Sequence, residues 1–248
     1  MPHEIPYAFS CVFLAAVVRG LSGFGFALLT VISLSFVLPP ATIVPAMFVL
    51  EVVAGLHLVP SIWRDIHWRS IAVMVGTAIV FTPVGVYCLA TVPVAPMRLV
   101  LAGLIFITAL VLMAGIQMKR MPTLAQTAAT GATAGILNGA FGIGGPPIIV
   151  FFLGSPLALQ AGRASIIATF LAMDMAGLPA LFAFGLFGRD SVRLAVISLP
   201  ALVAGLWLGA RLAGRMSEAV ARRVVLAVLM GMAMATAAQG LFPAWKGG

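Results

Sequence analysis

The sequence predicts an all-α integral membrane protein made of two homologous four-segment halves, and three observations carry that prediction. Of its 248 residues, 62% are hydrophobic and only 8% are charged, whereas a soluble domain is about 25% charged and needs that fraction to cover its surface. Apolar runs of about twenty residues recur from end to end, each long enough to cross ~30 Å of hydrocarbon. The third observation is a repeat: RGLSGFGFALL (Arg19–Leu29) aligns with NGAFGIGGPPI (Asn138–Ile148).

Eight apolar segments follow from the hydrophobic runs. They span roughly Tyr7–Leu38, Thr42–Pro60, Ser70–Ala90, Met97–Ile116, Leu124–Leu153, Arg163–Phe187, Val192–Leu212 and Ala219–Leu241. The links between them are short and hold the turn formers and charges, as in SIWRDIHWR, QMKRMP, FGRDSVR and AGRMSE. Residues 1–248 therefore read as one polytopic membrane domain, with repeat 1 at about 7–116 and repeat 2 at about 124–241. The N-terminus MPHEIPYAFSCVF lacks a basic stretch ahead of its apolar run, so the first membrane segment is expected to serve as the targeting signal. Cys11 and Cys88 lie in separate apolar stretches without ligand spacing and read as apolar fillers.

The first and fifth segments are about thirty residues long, more than one simple crossing needs at 1.5 Å per residue. Both contain a glycine cluster, and Gly20, Gly23 and Gly25 match Gly139, Gly142 and Gly144 at a constant offset of 119. Further on, Gly55-Leu56 match Gly177-Leu178 and Arg98 matches Arg222, the offset drifting to 122 and then 124. Glu51 and Asp174 fall in corresponding thirds of their repeats, one position out of register. Matched helix interruptions in two halves point to a transporter's central binding site, because backbone freed from helical bonding is tolerated at membrane depth only where it is buried or lines a cavity. N–H groups at a half-helix N-terminus suit an anion, glycine lets a ligand approach the backbone, and Pro146 and Pro147 are suited to open the second half-helix. Gly131, Gly135 and Gly139 have instead the spacing of small residues at a helix–helix contact.

Charge counting bears on topology. If all eight segments cross, the loop cations divide seven against six and give no orientation. If each glycine-broken segment enters and leaves on one side as a hairpin, Arg64, Arg69, Lys119, Arg120, Arg163, Arg211, Arg215, Arg222 and Arg223 share a side, nine against four. Each half then crosses three times and the halves are inverted, with the nine-charge side cytoplasmic. Eight full crossings with parallel repeats is the alternative. The formal net charge of +8 fits the positive-inside bias of loops and also favours anionic substrates.

Ionisable residues within membrane segments are costly and are functional candidates. Arg19 immediately precedes the first break, where it can meet an anion or pair with Glu51. Arg163 and Asp174 are eleven residues apart and share a helix face, about 16 Å apart along it; Arg163 either steers substrate or snorkels from a segment end. Glu51 and Asp174 are candidates for ion coupling or for ion pairs with arginine. The expected anion-binding set is Arg19, Ser22, Gly23, Gly25, Asn138, Gly142, Gly144, Gly145 and Arg163. His57 and His67 read as interfacial residues.

At these residues the chain resembles the sulfite exporter TauE/SafE family of bacterial membrane proteins. The resemblance rests on the duplicated four-segment halves, the breaks GLSGFG and GAFGIGG, and the short basic loop between the halves. It implies secondary transport, in the export direction, of small sulfur-containing or organic anions such as sulfite, sulfoacetate or other sulfonates across the bacterial inner membrane, with protons or another ion as coupling partner. The chain departs from internal symmetry where Arg19 faces Asn138 and FALL faces GPPI, so the two half-sites are expected to be chemically unequal. No cofactor, metal or nucleic acid is expected; lipid is, and homo-oligomerisation is left open. A passive anion channel and a membrane assembly factor are the competing functions. An enzyme is disfavoured, since there is no HExxH, no metal cluster among three histidines and no Ser/His/Asp arrangement at depth.

Overall fold

The structure, a computed structural model, describes residues 4–23, 25–93 and 118–213, with a few further positions between 96 and 107. Among the described residues there are eight α-helices and no strand. They are α1 (Glu4–Ser22), α2 (Phe26–Leu34), α3 (Pro40–Ile62), α4 (Trp68–Thr91), α5 (Leu124–Phe141), α6 (Gly145–Gly154), α7 (Leu159–Ala183) and α8 (Arg189–Ala213). The stretches 40–59, 68–91, 160–183 and 189–212 are long and apolar enough to cross a membrane. The fourth and eighth expected segments, Met97–Ile116 and Ala219–Leu241, fall almost wholly outside the described residues.

Local sequence accounts for the helix ends. Pro40 opens α3 at a position where a missing N–H costs nothing. Thr123 and Gln126 form a reciprocal capping box at the start of α5, with Gln126 N donating to Thr123 Oγ1 at 3.3 Å and Thr123 N to Gln126 Oε1 at 2.8 Å. The first and fifth apolar segments are each split in two, α1 from α2 and α5 from α6, at the glycine clusters.

Small residues then set how the helices pack. A Cβ placed on Gly131, Gly135 or Gly139 would lie 2.2 Å from Met74 O, 2.5 Å from Ala78 O and 2.3 Å from Thr82 O. The partner numbers rise together, so α4 and α5 run parallel in near backbone contact, as stripes of small residues permit. α1 and α8 do the same: Gly205 lies against Phe13 and Ala16, and Gly209 against Val17 and Gly20. α3 and α7 run in opposite directions, since Gly55 meets Leu171 while Gly177 meets Phe48. Exchanging α1 with α5, α2 with α6, α3 with α7 and α4 with α8 maps the larger helix contacts onto one another.

The Gly131/Gly135/Gly139 stripe is thus a helix–helix contact, as its spacing indicates. His67 anchors the start of α4, its N–H donating to the buried Ser165 Oγ of α7 at 2.9 Å. Cys11 and Cys88 are free and half-buried.

Candidate functional site

Both breaks use the same backbone device. Gly23 donates its N–H to Arg19 O at 2.6 Å, and Gly142, its counterpart, donates to Asn138 O at 2.7 Å. Both sit at positive φ, 84° and 66°, where a Cβ would collide with the following carbonyl and glycine meets no such penalty. The chain leaves the helix there and starts a new one within three residues. Helices α2 and α6 therefore begin inside the protein with first-turn N–H groups that have no intrahelical acceptor. In α6 the second and third residues are Pro146 and Pro147, which remove two of those donors; of the two that remain, Gly145 presents its N–H while that of Gly144 is engaged by a side chain. In α2 the corresponding residues, Ala27 and Leu28, keep their N–H groups.

The two new N-termini converge on one cavity, lined by Gly25, Ala27 and Leu28 from the first half and Gly142 through Gly145 from the second. Ile149, Phe170, Glu51, Asn138 and Asp174 complete its wall. Its free volume is about 30 Å³, on a scale where one water needs ~10–15 Å³. That is room for two or three waters or for the head of one small oxyanion. Each half-helix contributes a partial positive charge of about +0.5 at its N-terminus, so two converging termini offer an anion both donors and potential.

Side chains tie each break to the long helix behind it, differently in the two halves. In the first, Arg19 Nη1 donates to Glu51 Oε2 in a buried ion pair. Arg19 is only 1% exposed, and its Nε and Nη2 have no hydrogen-bond partner among the described residues. In the second half, Asn138 Nδ2 donates to Asp174 Oδ1 at 2.8 Å, and Asn138 Oδ1 accepts the Gly144 N–H at 3.2 Å. The aligned positions Arg19 and Asn138 thus each hold the acid of the following helix, by charge in one case and by an amide in the other.

Of the residues singled out from the sequence, Gly25, Glu51, Asn138, Gly142, Gly144, Gly145 and Asp174 line this cavity. Gly23 shapes the turn without lining it. Ser22 is the last residue of α1. Arg19 stands behind Glu51, one layer from the cavity. Arg163 is half-buried in the second turn of α7 and is not part of the lining. The sequence reading missed Phe170 and Ile149. Both were within reach of it, because Phe170 lies one helical turn before Asp174 and Ile149 one turn after Gly145.

The sequence pattern of the sulfite exporter TauE/SafE family matches residues 8–236. A protein of Cupriavidus necator named "Probable sulfite/organosulfonate exporter TauE" is 26% identical over 219 residues, which cover 85% of this chain and 84% of that one. No solved structure matches the chain.

Proposed function

This chain belongs to the sulfite exporter TauE/SafE family and is a membrane transporter; on that premise we propose that it exports a small sulfur-containing or organic anion, such as sulfite, sulfoacetate or another sulfonate, by alternating access. The observation that carries the proposal is the convergence of two half-helix N-termini on one small cavity. A tetrahedral or pyramidal oxyanion head matches both the volume and the donors. Backbone N–H groups of α2 and α6 bind it, Asn138 orients the second break, and the buried Arg19 guanidinium supplies positive potential from the layer behind. Phe170 and Ile149 give the cavity an apolar side that suits the short carbon stem of a sulfonate.

The packing directions support inverted halves. α4 and α5 run parallel, α1 and α8 run parallel, and α3 opposes its counterpart α7. With α3 and α7 reversed, a half-turn about an axis in the membrane plane relates the halves, and each break sits at the tip of a hairpin. In this arrangement the two halves rock against each other across the α3–α7 contact, where Gly55 and Gly177 allow close approach. The bacterial inner membrane is the proposed location, with the more basic loops cytoplasmic.

The test is ligand-dependent thermal stabilisation of purified protein across sulfite, methanesulfonate, sulfoacetate, taurine, acetate and chloride. Selective stabilisation by sulfite or sulfonates, lost in Gly145→Leu, supports the assignment. Equal stabilisation by chloride and by every oxyanion would favour a passive anion pathway instead.

A further inference from the structure

We propose that the transported anion binds together with a proton, that Asp174 takes up this proton, and that the Asn138 amide is the switch linking the two events. The inference rests on the anion-transport reading above and specifies its coupling ion.

Two carboxyl groups line the cavity, Glu51 and Asp174. They differ in one respect. Glu51 is neutralised by Arg19, whereas Asp174 is held by an amide, Asn138 Nδ2. Among the described residues, the cation whose charge reaches Asp174 is Arg19, and that cation is already engaged by Glu51. α5 and α6 contain no ionisable residue, α4 contributes only Arg69 at its start and Tyr87 and Cys88 near its end, and α3 adds to Glu51 only the exposed His57. On its own helix Arg163 lies eleven residues away. An anion in so small a cavity therefore shares it with a carboxylate that has no ion-pair partner of its own among the described residues. Two like charges that close in a low-dielectric setting do not both persist; a proton on the carboxyl removes the conflict.

The hydrogen bonds show how protonation opens the site. With Asp174 ionised, its oxygens are acceptors only, so Asn138 must turn Nδ2 towards them. Its Oδ1 then faces the break and occupies the Gly144 N–H, one of the donors that an anion needs. When a proton from water adds to Asp174, the carboxyl becomes a donor. The amide can then rotate so that Oδ1 accepts the Asp174 O–H. That rotation releases the Gly144 N–H and points Nδ2–H into the cavity. Both groups are now available to the anion. One proton enters with one negative charge, and the bound pair adds no net charge to the cavity. By reciprocity, the proton raises affinity for the anion by the factor by which the anion raises affinity for the proton.

Methanesulfonate is the probe, because its headgroup stays anionic across the range in which carboxyl groups titrate. Its binding to purified full-length protein is measured from about pH 5 to about pH 9, together with proton uptake in weak buffer. The expected result is affinity that rises by up to about tenfold for each pH unit lowered, with close to one proton taken up per anion. Asp174→Asn loses the slope, and Asn138→Leu, which frees the Gly144 N–H at every pH, reduces the slope below half of the wild-type value. Binding that is independent of pH with no proton uptake overturns the coupling and leaves the transport reading standing. An unchanged slope in Asn138→Leu overturns the switch. No binding at any pH overturns both coupling and transport reading. If Asp174→Asn does not fold, the proton count on the wild-type protein decides alone.

Discussion

Replacing Arg19 by Met deprives Glu51 of its cation while Glu51 stays 5% exposed. Breaking a buried ion pair on one side costs ~3–5 kcal/mol, because it leaves an uncompensated charge in a low-dielectric site. For a chain of this size each kcal/mol lowers the midpoint by roughly 2–4 °C, so the single variant should unfold about 6–20 °C below wild type. Removing both charges in Arg19→Met/Glu51→Leu eliminates the desolvation penalty along with the attraction, and such replacements are often neutral or stabilising. The double variant should therefore recover most of the loss. Thermal unfolding in detergent, followed by tryptophan fluorescence, measures Arg19→Met, Glu51→Leu and the double variant. A double variant as unstable as the sum of the two singles would show that Arg19 and Glu51 act independently and would refute the pairing. Anion flux is the second readout. Since Nε and Nη2 of Arg19 have no partner among the described residues, the double variant should regain stability without regaining transport.

Three further outcomes follow from the geometry. Gly142→Ala forces an L side chain to φ 66° but meets only ordinary contact, the nearest atom being Val44 Cγ1 at 3.6 Å. Its cost should be the backbone term alone, ~1–2 kcal/mol, read as a fall of roughly 2–8 °C in midpoint. Gly85→Ala places a Cβ 2.1 Å from Ile136 O, so α4 and α5 must separate, and the yield of monodisperse protein in gel filtration should collapse. Gly76→Ala, on the same helix with nothing within 4 Å among the described residues, should be neutral or stabilising by ~0.5–1 kcal/mol, and a loss as large as that of Gly85→Ala would contradict the packing described.

Much of this architecture was legible in the sequence because its determinants are local. Apolar run length marks the crossings, and the α3, α4, α7 and α8 boundaries fall within four residues of the segments read from hydropathy. The breaks were visible because only glycine relieves positive φ, and the constant offset of 119 put Gly23 and Gly142 in register before their matching backbone bonds were seen. The pairing of Arg19 with Glu51 was one of two readings that the sequence left open, since a buried arginine needs either a carboxylate or a ligand. The Asn138–Asp174 bond is not legible from charge patterning: a neutral amide carries no charge signal, and the cation on the Asp174 helix is Arg163. Mapping Arg19 onto Asn138 and Glu51 onto Asp174 would have found it. The cavity wall formed by Phe170 and Ile149 depends on which faces of α6 and α7 meet, and apolar sequence on all sides of a membrane helix hides that choice.

Counterflow in proteoliposomes tests the central claim most directly, namely that the anion passes through the cavity between the two helix breaks. Gly145 is the position to alter, because a Cβ there points at Phe170 Cζ and Ile149 Cδ1, 3.3 and 3.4 Å away, side chains of the cavity wall. Gly144 is less suitable, since its Cβ would press on Ala134 O at 3.0 Å. Vesicles loaded with unlabelled sulfite should accumulate labelled sulfite transiently with wild-type protein, and Gly145→Leu should abolish that overshoot while remaining monodisperse. Full counterflow by a well-folded Gly145→Leu protein would contradict the account and place the transport path elsewhere in the bundle.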